Sequence, residues 1–75
     1  MSDAAQVATF AIVVNGETRS AKAGETVSDL LVALGLQSGR VAIERNLQIL
    51  PRVEWAATKI AADDRYEIVQ FVGGG

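Results

Sequence analysis

The stretch YEIVQFVGGG, residues 66–75, joins an apolar segment rich in β-branched residues to three successive glycines. Valine, isoleucine and aromatic side chains favour extended structure, and this composition suits a strand at the centre of a sheet. We therefore predict a central strand over residues 66–72. Because glycine lacks a Cβ atom, residues 73–75 are predicted to form a thin, flexible tail that reaches about 10 Å beyond the folded domain.

A β-hairpin is predicted near the other end of the chain. Residues 10–14 are apolar and β-rich, and Asn15-Gly16 follows them directly. This dipeptide suits a two-residue type I′ turn, in which both residues have positive φ. The returning segment, residues 18–22, alternates small and charged side chains, which indicates a strand near the edge of the sheet with one face in water.

One amphipathic helix of about ten residues is predicted after the hairpin. Thr26 provides an N-cap hydroxyl, and Asp29 follows three positions later in the pattern of a capping box. Gly35 stands where a left-handed C-cap is expected. The apolar residues of this segment fall on one helical face; they are Val27, Leu30, Leu31 and Leu34.

Two further strands are predicted after the helix. Residues 41–45 alternate as a third strand, and residues 49–50 form a short fourth strand that Pro51 ends. The turn between them has no assigned type, because Leu47 at positive φ would be unfavourable. Trp55 is interpreted as a core or rim aromatic residue near one short helical turn.

The order of these elements is a hairpin, a helix, two strands and a final strand, which is the order of an α+β protein with the β-grasp, or ubiquitin-like, fold. We expect a mixed sheet of four to five strands, in which the first and last strands are parallel and one main helix packs on one face. Residues 9–72 would form this domain, residues 1–8 a flexible N-terminal arm and residues 73–75 the tail.

The composition excludes several kinds of function. The 75 residues include no cysteine and no histidine, so a disulfide, a thiolate zinc site and a histidine general base are all ruled out. Nine acidic residues are scattered among seven basic ones, a distribution that argues against nucleic acid or an anionic membrane as a partner. We expect a cytoplasmic protein without catalytic side chains and without a bound metal or cofactor.

The tail itself offers a chemical group. Gly75 carries an α-carboxylate, which is ionised at neutral pH and is a poor electrophile. Attack of this carboxylate on the α-phosphate of ATP would give an acyl-adenylate, whose carbonyl can accept sulfur or an amine. A partner enzyme could supply every catalytic group for these steps. The alternative interpretation is an unstructured terminus with no function.

Several segments together resemble the ThiS family of sulfur carrier proteins. The resemblance covers the chain from about Ile12 to its last residue, and the final segment, residues 67–75, is the most similar. The other matching segments are residues 15–17, 24–27, 30–31, 34–36, 41–46 and 51–52. The chain departs from the family pattern at Leu47 and at Asp63-Asp64, which leaves the shape of two turns open.

The resemblance implies a specific role in thiamine biosynthesis. An E1-like adenylyltransferase of the ThiF type would use ATP and Mg²⁺ to adenylate Gly75, while Gly73 and Gly74 lie in its active site. A sulfurtransferase or cysteine desulfurase would then provide sulfur for a thiocarboxylate. A thiazole synthase of the ThiG type would receive that sulfur, so the chain is expected to be a co-substrate and not an enzyme.

Side chains near the tail are candidates for partner docking. Val69 and Phe71 share one face of the last strand, and Ile68 lies on the other. Either all three belong to the core, or Val69 and Phe71 form an exposed docking patch. Val72 and Arg52 are further docking candidates.

Charged residues elsewhere have a weaker functional interpretation. Glu44, Arg45 and Arg52 either form a charged contact surface for the adenylating enzyme or are merely solvated. Asp63-Asp64 alone is weak evidence for a metal site.

Three other functions remain open from the sequence. The first is a carrier of the same fold that supplies sulfur for molybdopterin, cysteine or tRNA thiolation. The second is a ubiquitin-like modifier that is joined to lysine side chains through Gly75. The third is a passive interaction module with an inert tail.

Overall fold

The computed structural model describes residues 8–36 and 39–71, and the predicted arm (residues 1–8, apart from Ala8) and tail (residues 73–75) lie outside them. The described part folds as α+β, as predicted. In chain order its elements are β1 (Thr9–Val14), β2 (Glu17–Lys22), α1 (Val27–Leu34), β3 (Arg40–Arg45), β4 (Gln48–Ile49), a 3₁₀ turn (Arg52–Glu54) and β5 (Arg65–Phe71).

The strands form one five-stranded sheet in the order β2-β1-β5-β3-β4. β1 and β5 are parallel, with Val13 opposite Arg65, and the other neighbouring strands are antiparallel. β5 therefore lies at the centre of the sheet and β2 at an edge, as the sequence predicted. This arrangement confirms the β-grasp prediction.

The ends of α1 confirm the predicted caps. The Thr26 hydroxyl accepts a hydrogen bond from the Asp29 amide, and the Asp29 carboxylate accepts one from the Thr26 amide. Gly35 has a φ of 75° and ends the helix after eight residues, two fewer than predicted. The Leu36 amide donates to the Leu31 carbonyl at 2.8 Å, which completes the usual left-handed termination.

The core lies between α1 and one face of the sheet. Its most deeply buried side chains come from β1, α1, β3 and β5; they are Ile12, Val27, Leu31, Ile43 and Tyr66. Trp55 closes one end of this core, and its indole Nε1 donates to the Leu50 carbonyl at 2.9 Å. The interpretation of Trp55 as a core residue beside one short helical turn is confirmed.

The structure defines the turn between β3 and β4, to which the sequence analysis assigned no type. Asn46 and Leu47 both have positive φ, 51° and 73°, although leucine at such a φ costs about 1–2 kcal/mol. Arg45 pairs with Gln48 across this two-residue turn, so β4 begins one residue earlier than predicted. Positive φ at both central residues suits a two-residue hairpin, because the backbone twist of such a turn matches the right-handed twist of the strands.

Within the described ranges, no helix is long and apolar enough to cross a membrane. The eight residues of α1 extend about 12 Å, well under the thickness of a bilayer core.

Candidate functional site

The last strand presents different chemistry on its two faces. Ile68 is 6% exposed and packs in the core, whereas Val69 and Phe71 are 53% and 54% exposed. The structure therefore confirms the exposed alternative for these two side chains, and their docking role stays a prediction. The remaining tail candidates, Val72 and Gly73, Gly74 and Gly75, lie outside the described residues.

Neighbouring strands extend the exposed surface around Val69 and Phe71. Residues that are directly opposite in a ladder share a face of the sheet, and β3 places Ala42 opposite Val69 and Arg40 opposite Phe71. Two more opposed pairs are Glu44 with Glu67 and Ile49 with Glu44. We call this surface the open face; it includes Arg40, Ala42, Glu44, Ile49, Arg65, Glu67, Val69 and Phe71.

The hairpin turn holds β5 where β1 ends. The main-chain N–H of Asn15 donates to the Tyr66 carbonyl at 2.8 Å. The Asn15 side chain then continues the pairing: its Oδ1 accepts from the Ile68 amide at 2.7 Å, and its Nδ2 donates to the Ile68 carbonyl at 3.1 Å. Asn15 is thus more than a turn residue, because it fixes the strand that leads to the tail.

A buried carboxylate holds the start of β5. Asp64 is 5% exposed, and its Oδ2 accepts from Tyr66 Oη at 2.8 Å and from the Ala61 amide at 2.9 Å. Arg45 forms a salt bridge with the same oxygen at 3.0 Å. Asn46 Nδ2 donates to the other oxygen, Oδ1, at 3.0 Å. This network joins β3, β5 and the preceding turn.

These contacts shift the pKa values of the three titratable members. Burial and the hydrogen bond to Asp64 raise the pKa of Tyr66 to about 12. For Asp64, burial favours the neutral acid, but its hydrogen bonds outweigh burial and lower the pKa. For Arg45, burial likewise opposes the charge, and the bonds to Tyr66 and Asp64 more than offset it, so the pKa is raised.

Glu44, Arg45 and Arg52 do not form one charged surface, so this alternative from the sequence analysis is wrong. Glu44 and Arg45 are adjacent in β3 and therefore point to opposite faces. Arg45 is held by Asp64, as described above. The Arg52 guanidinium stacks on the Trp55 ring, 4.6 Å from its centroid, and donates to the Gly39 carbonyl at 3.2 Å.

Arg52 is also separated from the other docking candidates. It lines a cavity with residues of α1, including Leu31 and Val32, whereas Val69 and Phe71 lie on the open face. The structure therefore brings Val69 and Phe71 together and leaves Arg52 on the helix side of the sheet.

Asp63-Asp64 does not form a metal site. Asp63 occupies a turn with a φ of 68°, and Asp64 belongs to the network described above. Across residues 8–36 and 39–71, no three acidic side chains lie close enough together to hold a metal ion. The Asp64 network was missed from the sequence; the available signal was an acidic residue two positions before a buried tyrosine.

The fold and the open face define a small β-grasp domain whose central strand is followed in the sequence by Val72 and three glycines. A model of the ThiS family matches residues 12–75. The chain belongs to the ThiS family.

Some of the known proteins similar to this chain are named ThiS. The sulfur carrier protein ThiS of Escherichia coli is 33% identical over 64 residues, which cover 85% of this chain and 97% of that protein. The crystal structure of ThiS from Geobacter metallireducens has a TM-score of 0.71 and 33% identity, and the match covers 88% of this chain and 100% of that one.

Longer proteins are also similar to this chain. A thiazole synthase of Paramagnetospirillum magneticum is 47% identical over 64 residues, and one of Magnetococcus marinus is 42% identical over 64 residues. In both cases the match covers 85% of this chain. This chain spans 20% of the length of those thiazole synthases.

Proposed function

We propose that this chain is a cytoplasmic sulfur carrier for thiamine biosynthesis and holds its sulfur as a thiocarboxylate at Gly75. The observation that carries the proposal is the extent of the family match, which runs through the glycine tail to residue 75. The relatives named sulfur carrier protein ThiS support the same role.

The chemistry begins at the terminal carboxylate. An E1-like adenylyltransferase of the ThiF type binds ATP and Mg²⁺, and an oxygen of Gly75 attacks the α-phosphorus and displaces pyrophosphate. The outer sulfur of a persulfide on a sulfurtransferase or cysteine desulfurase then attacks the activated carbonyl and displaces AMP, which gives an acyl disulfide. A thiol of a partner protein attacks the other sulfur of this disulfide, which releases the thiocarboxylate on Gly75 and leaves a disulfide on the partner. The chain acts as a co-substrate throughout, since it has neither histidine nor cysteine to perform acid-base or thiol catalysis.

The acceptor of the sulfur is a thiazole synthase of the ThiG type. Two proteins named thiazole synthase contain a segment that is 42% to 47% identical to this chain. Direct transfer of sulfur from the carrier to the synthase would favour the joining of both in one chain, because tethering raises the effective concentration of the carrier near the synthase.

Val69 and Phe71, followed by Val72, are the side chains through which we propose that the partners dock. Their exposure on the strand that leads to the tail supports this role, because exposed apolar side chains commonly mark interfaces. Gly73 and Gly74 give the tail the narrow cross-section that an enzyme slot requires. Arg52 would contribute to a different surface on the helix side.

Intact-mass spectrometry with C-terminal fragmentation tests the proposal. The chain is incubated with its adenylyltransferase, ATP and a sulfur source, and we expect a sulfur-for-oxygen mass shift at Gly75 that an alkylating agent traps. Fragmentation is needed because oxidation of Met1 or Trp55 gives nearly the same mass change.

The controls are a reaction without ATP and the variants Gly75→Ala and deletion of Gly75. Both variants are expected to lose sulfur loading and to keep the unfolding midpoint of the wild type. Normal loading of either variant, or an unmodified wild-type chain with an active enzyme, would reject the carrier function. Conjugates of higher mass would instead identify a ubiquitin-like modifier.

A further inference from the structure

Asn15 and Gly16 combine the features that permit deamidation of an asparagine side chain. In this reaction the main-chain nitrogen of the following residue attacks the side-chain carbonyl carbon, and a following glycine leaves that nitrogen unshielded because it has no Cβ atom. Both residues are exposed. A Cβ atom at Gly16 would meet no atom from other segments of the described chain within 4 Å. Water and base therefore reach this dipeptide in the folded chain.

Asn46, the other asparagine of the chain, provides a comparison within the same molecule. It is also exposed, and its φ is 51°, against 50° for Asn15. Its carboxamide likewise makes two hydrogen bonds: Oδ1 accepts from the Arg65 amide at 2.9 Å, and Nδ2 donates to Asp64 at 3.0 Å. The following residue differs, because Leu47 carries a branched side chain beside the attacking nitrogen. The chemistry therefore favours reaction at Asn15.

The fold opposes the reaction at Asn15. Its carboxamide faces β5, where Oδ1 accepts from the Ile68 amide at 2.7 Å and Nδ2 donates to the Ile68 carbonyl at 3.1 Å. The same carboxamide must turn toward the nitrogen of Gly16 before it can react, so both hydrogen bonds must break first. Local opening of this kind is an equilibrium, and the loss of two hydrogen bonds keeps the open form a small fraction of the molecules.

We propose that Asn15 is a site of spontaneous deamidation and that its pairing with Ile68 controls the rate. When the pair opens, the deprotonated main-chain nitrogen of Gly16 bonds to Cγ of Asn15. Nδ2 takes up the proton that the Gly16 nitrogen has lost and leaves as ammonia, so a succinimide ring remains. Water then adds to either ring carbonyl and breaks its bond to the ring nitrogen. The products are aspartate at residue 15 or isoaspartate, in which the main chain continues through Cγ.

Either product should hold β5 less firmly than Asn15 does. Aspartate keeps an acceptor for the Ile68 amide, but an oxygen replaces the Nδ2 donor and then faces the Ile68 carbonyl. Two acceptors that face each other lose a hydrogen bond and repel. Isoaspartate lengthens the main chain by one carbon atom in a two-residue turn, which disturbs the pairing of Val14 with Glu17.

Peptide mapping by mass spectrometry tests the proposal after incubation of the full chain at mildly alkaline pH. Trypsin cleaves after Arg19, Arg45 and Arg52, so each asparagine falls in its own peptide. The chain is incubated folded and, in parallel, in concentrated guanidinium chloride, and a sample without incubation corrects for reaction during digestion. Chromatography separates aspartate from isoaspartate. The matched control is Leu47→Gly, which places a glycine after Asn46.

In the denatured wild type we expect reaction at Asn15 and little reaction at Asn46, whereas denatured Leu47→Gly should react at both. In the folded wild type, Asn15 should react about ten- to a hundredfold more slowly than in the denatured chain, because two hydrogen bonds must open. This slowing should match the protection of the Ile68 amide against hydrogen exchange, since the same opening permits both reactions. The modified chain, purified by its added negative charge, should show faster exchange at Ile68 and a lower denaturant midpoint.

Three results would contradict the proposal. An unmodified Asn15 in the denatured chain, at times when denatured Leu47→Gly has reacted at Asn46, would reject Asn15 as the site. Equal rates at Asn15 in the folded and denatured chains, or a slowing far smaller than the protection of the Ile68 amide, would reject control by the pairing. Unchanged exchange at Ile68 together with an unchanged midpoint after modification would show that the products hold β5 as well as Asn15 does.

Discussion

The side chain of Asn15 pairs with the main chain of Ile68, 53 residues later, through two hydrogen bonds of 2.7 and 3.1 Å. β1 ends at Val14, so the carboxamide takes the place of a strand residue and extends the parallel pairing toward the tail. The positive φ of Asn15, 50°, directs the chain into the hairpin turn at the same time. One residue thus ends the first hairpin and holds the last strand.

Replacement of Asn15 by glycine tests this role. Glycine accepts the positive φ without strain, so the variant isolates the loss of the two hydrogen bonds. We expect the free energy of unfolding to fall by about 1–2 kcal/mol. Amide exchange at Ile68 should accelerate, because this amide loses its acceptor. As a comparison, Asn15→Asp keeps an acceptor for that amide and should protect it better than Asn15→Gly. Unchanged exchange at Ile68 in the glycine variant would contradict the proposed pairing.

Replacement of Asp64 by asparagine should reduce stability at neutral pH by about 3 kcal/mol, because it leaves the Arg45 guanidinium partly buried without its anion. The matched control is Asp63→Asn, which makes the same charge change at the exposed neighbour with positive φ. Asparagine tolerates that conformation, so the control should be near the wild type. Equal losses in the two variants would refute the network.

The same carboxylate predicts a pH dependence. The pKa of Asp64 is lower in the folded chain than its unfolded value of about 3.9. Its contribution is therefore fully present above that pH and is lost as the pH falls through the lower, folded-state pKa. Denaturant titrations below pH about 4 should show a smaller decline in stability for Asp64→Asn than for the wild type. Equal declines in the stability of Asp64→Asn and of the wild type would show that other groups control stability at acidic pH.

Replacement of Leu47 by glycine should stabilise the protein. Leu47 is 90% exposed and has a φ of 73°, so the change removes strain and little packing. The relief of about 1–2 kcal/mol exceeds the added entropy of glycine in the unfolded chain, and we expect a net gain of about 0.5–1 kcal/mol. Thermal denaturation measures the change. Leu47→Ala, which keeps the strain, serves as the control and should give no such gain.

Replacement by threonine should destabilise adjacent residues of β5 to very different extents. Ile68→Thr places a hydroxyl and a smaller side chain in the core, and should cost about 2–3 kcal/mol of unfolding free energy. Val69→Thr keeps the branched shape at a half-exposed position and should cost less than about 0.5 kcal/mol. Sulfur loading by the adenylyltransferase should weaken for Val69→Thr despite its normal stability. Normal loading would remove Val69 from the docking surface.

Local features of the fold were predictable because their causes lie within a few residues. Thr26 and Asp29 cap one helix, and Gly35 ends it, through bonds that span five positions or fewer. The turn at Leu47 was left without a type because the local preference of leucine opposes the geometry that the turn has. There the pairing of β3 with β4 and with β5 outweighed an unfavourable φ.

By itself, the sequence determined the order of the elements, which residues of the last strand share a face and the presence of the terminal glycines, because hydrophobic periodicity and turn chemistry act locally. Tertiary structure alone decided that Asn15 bonds Ile68, that Arg45 pairs with Asp64 and that Glu44 opposes Glu67. These relationships depend on the register between strands that are distant in the chain. Burial of one sheet face against α1 sets that register, since a slip of one residue would expose the core.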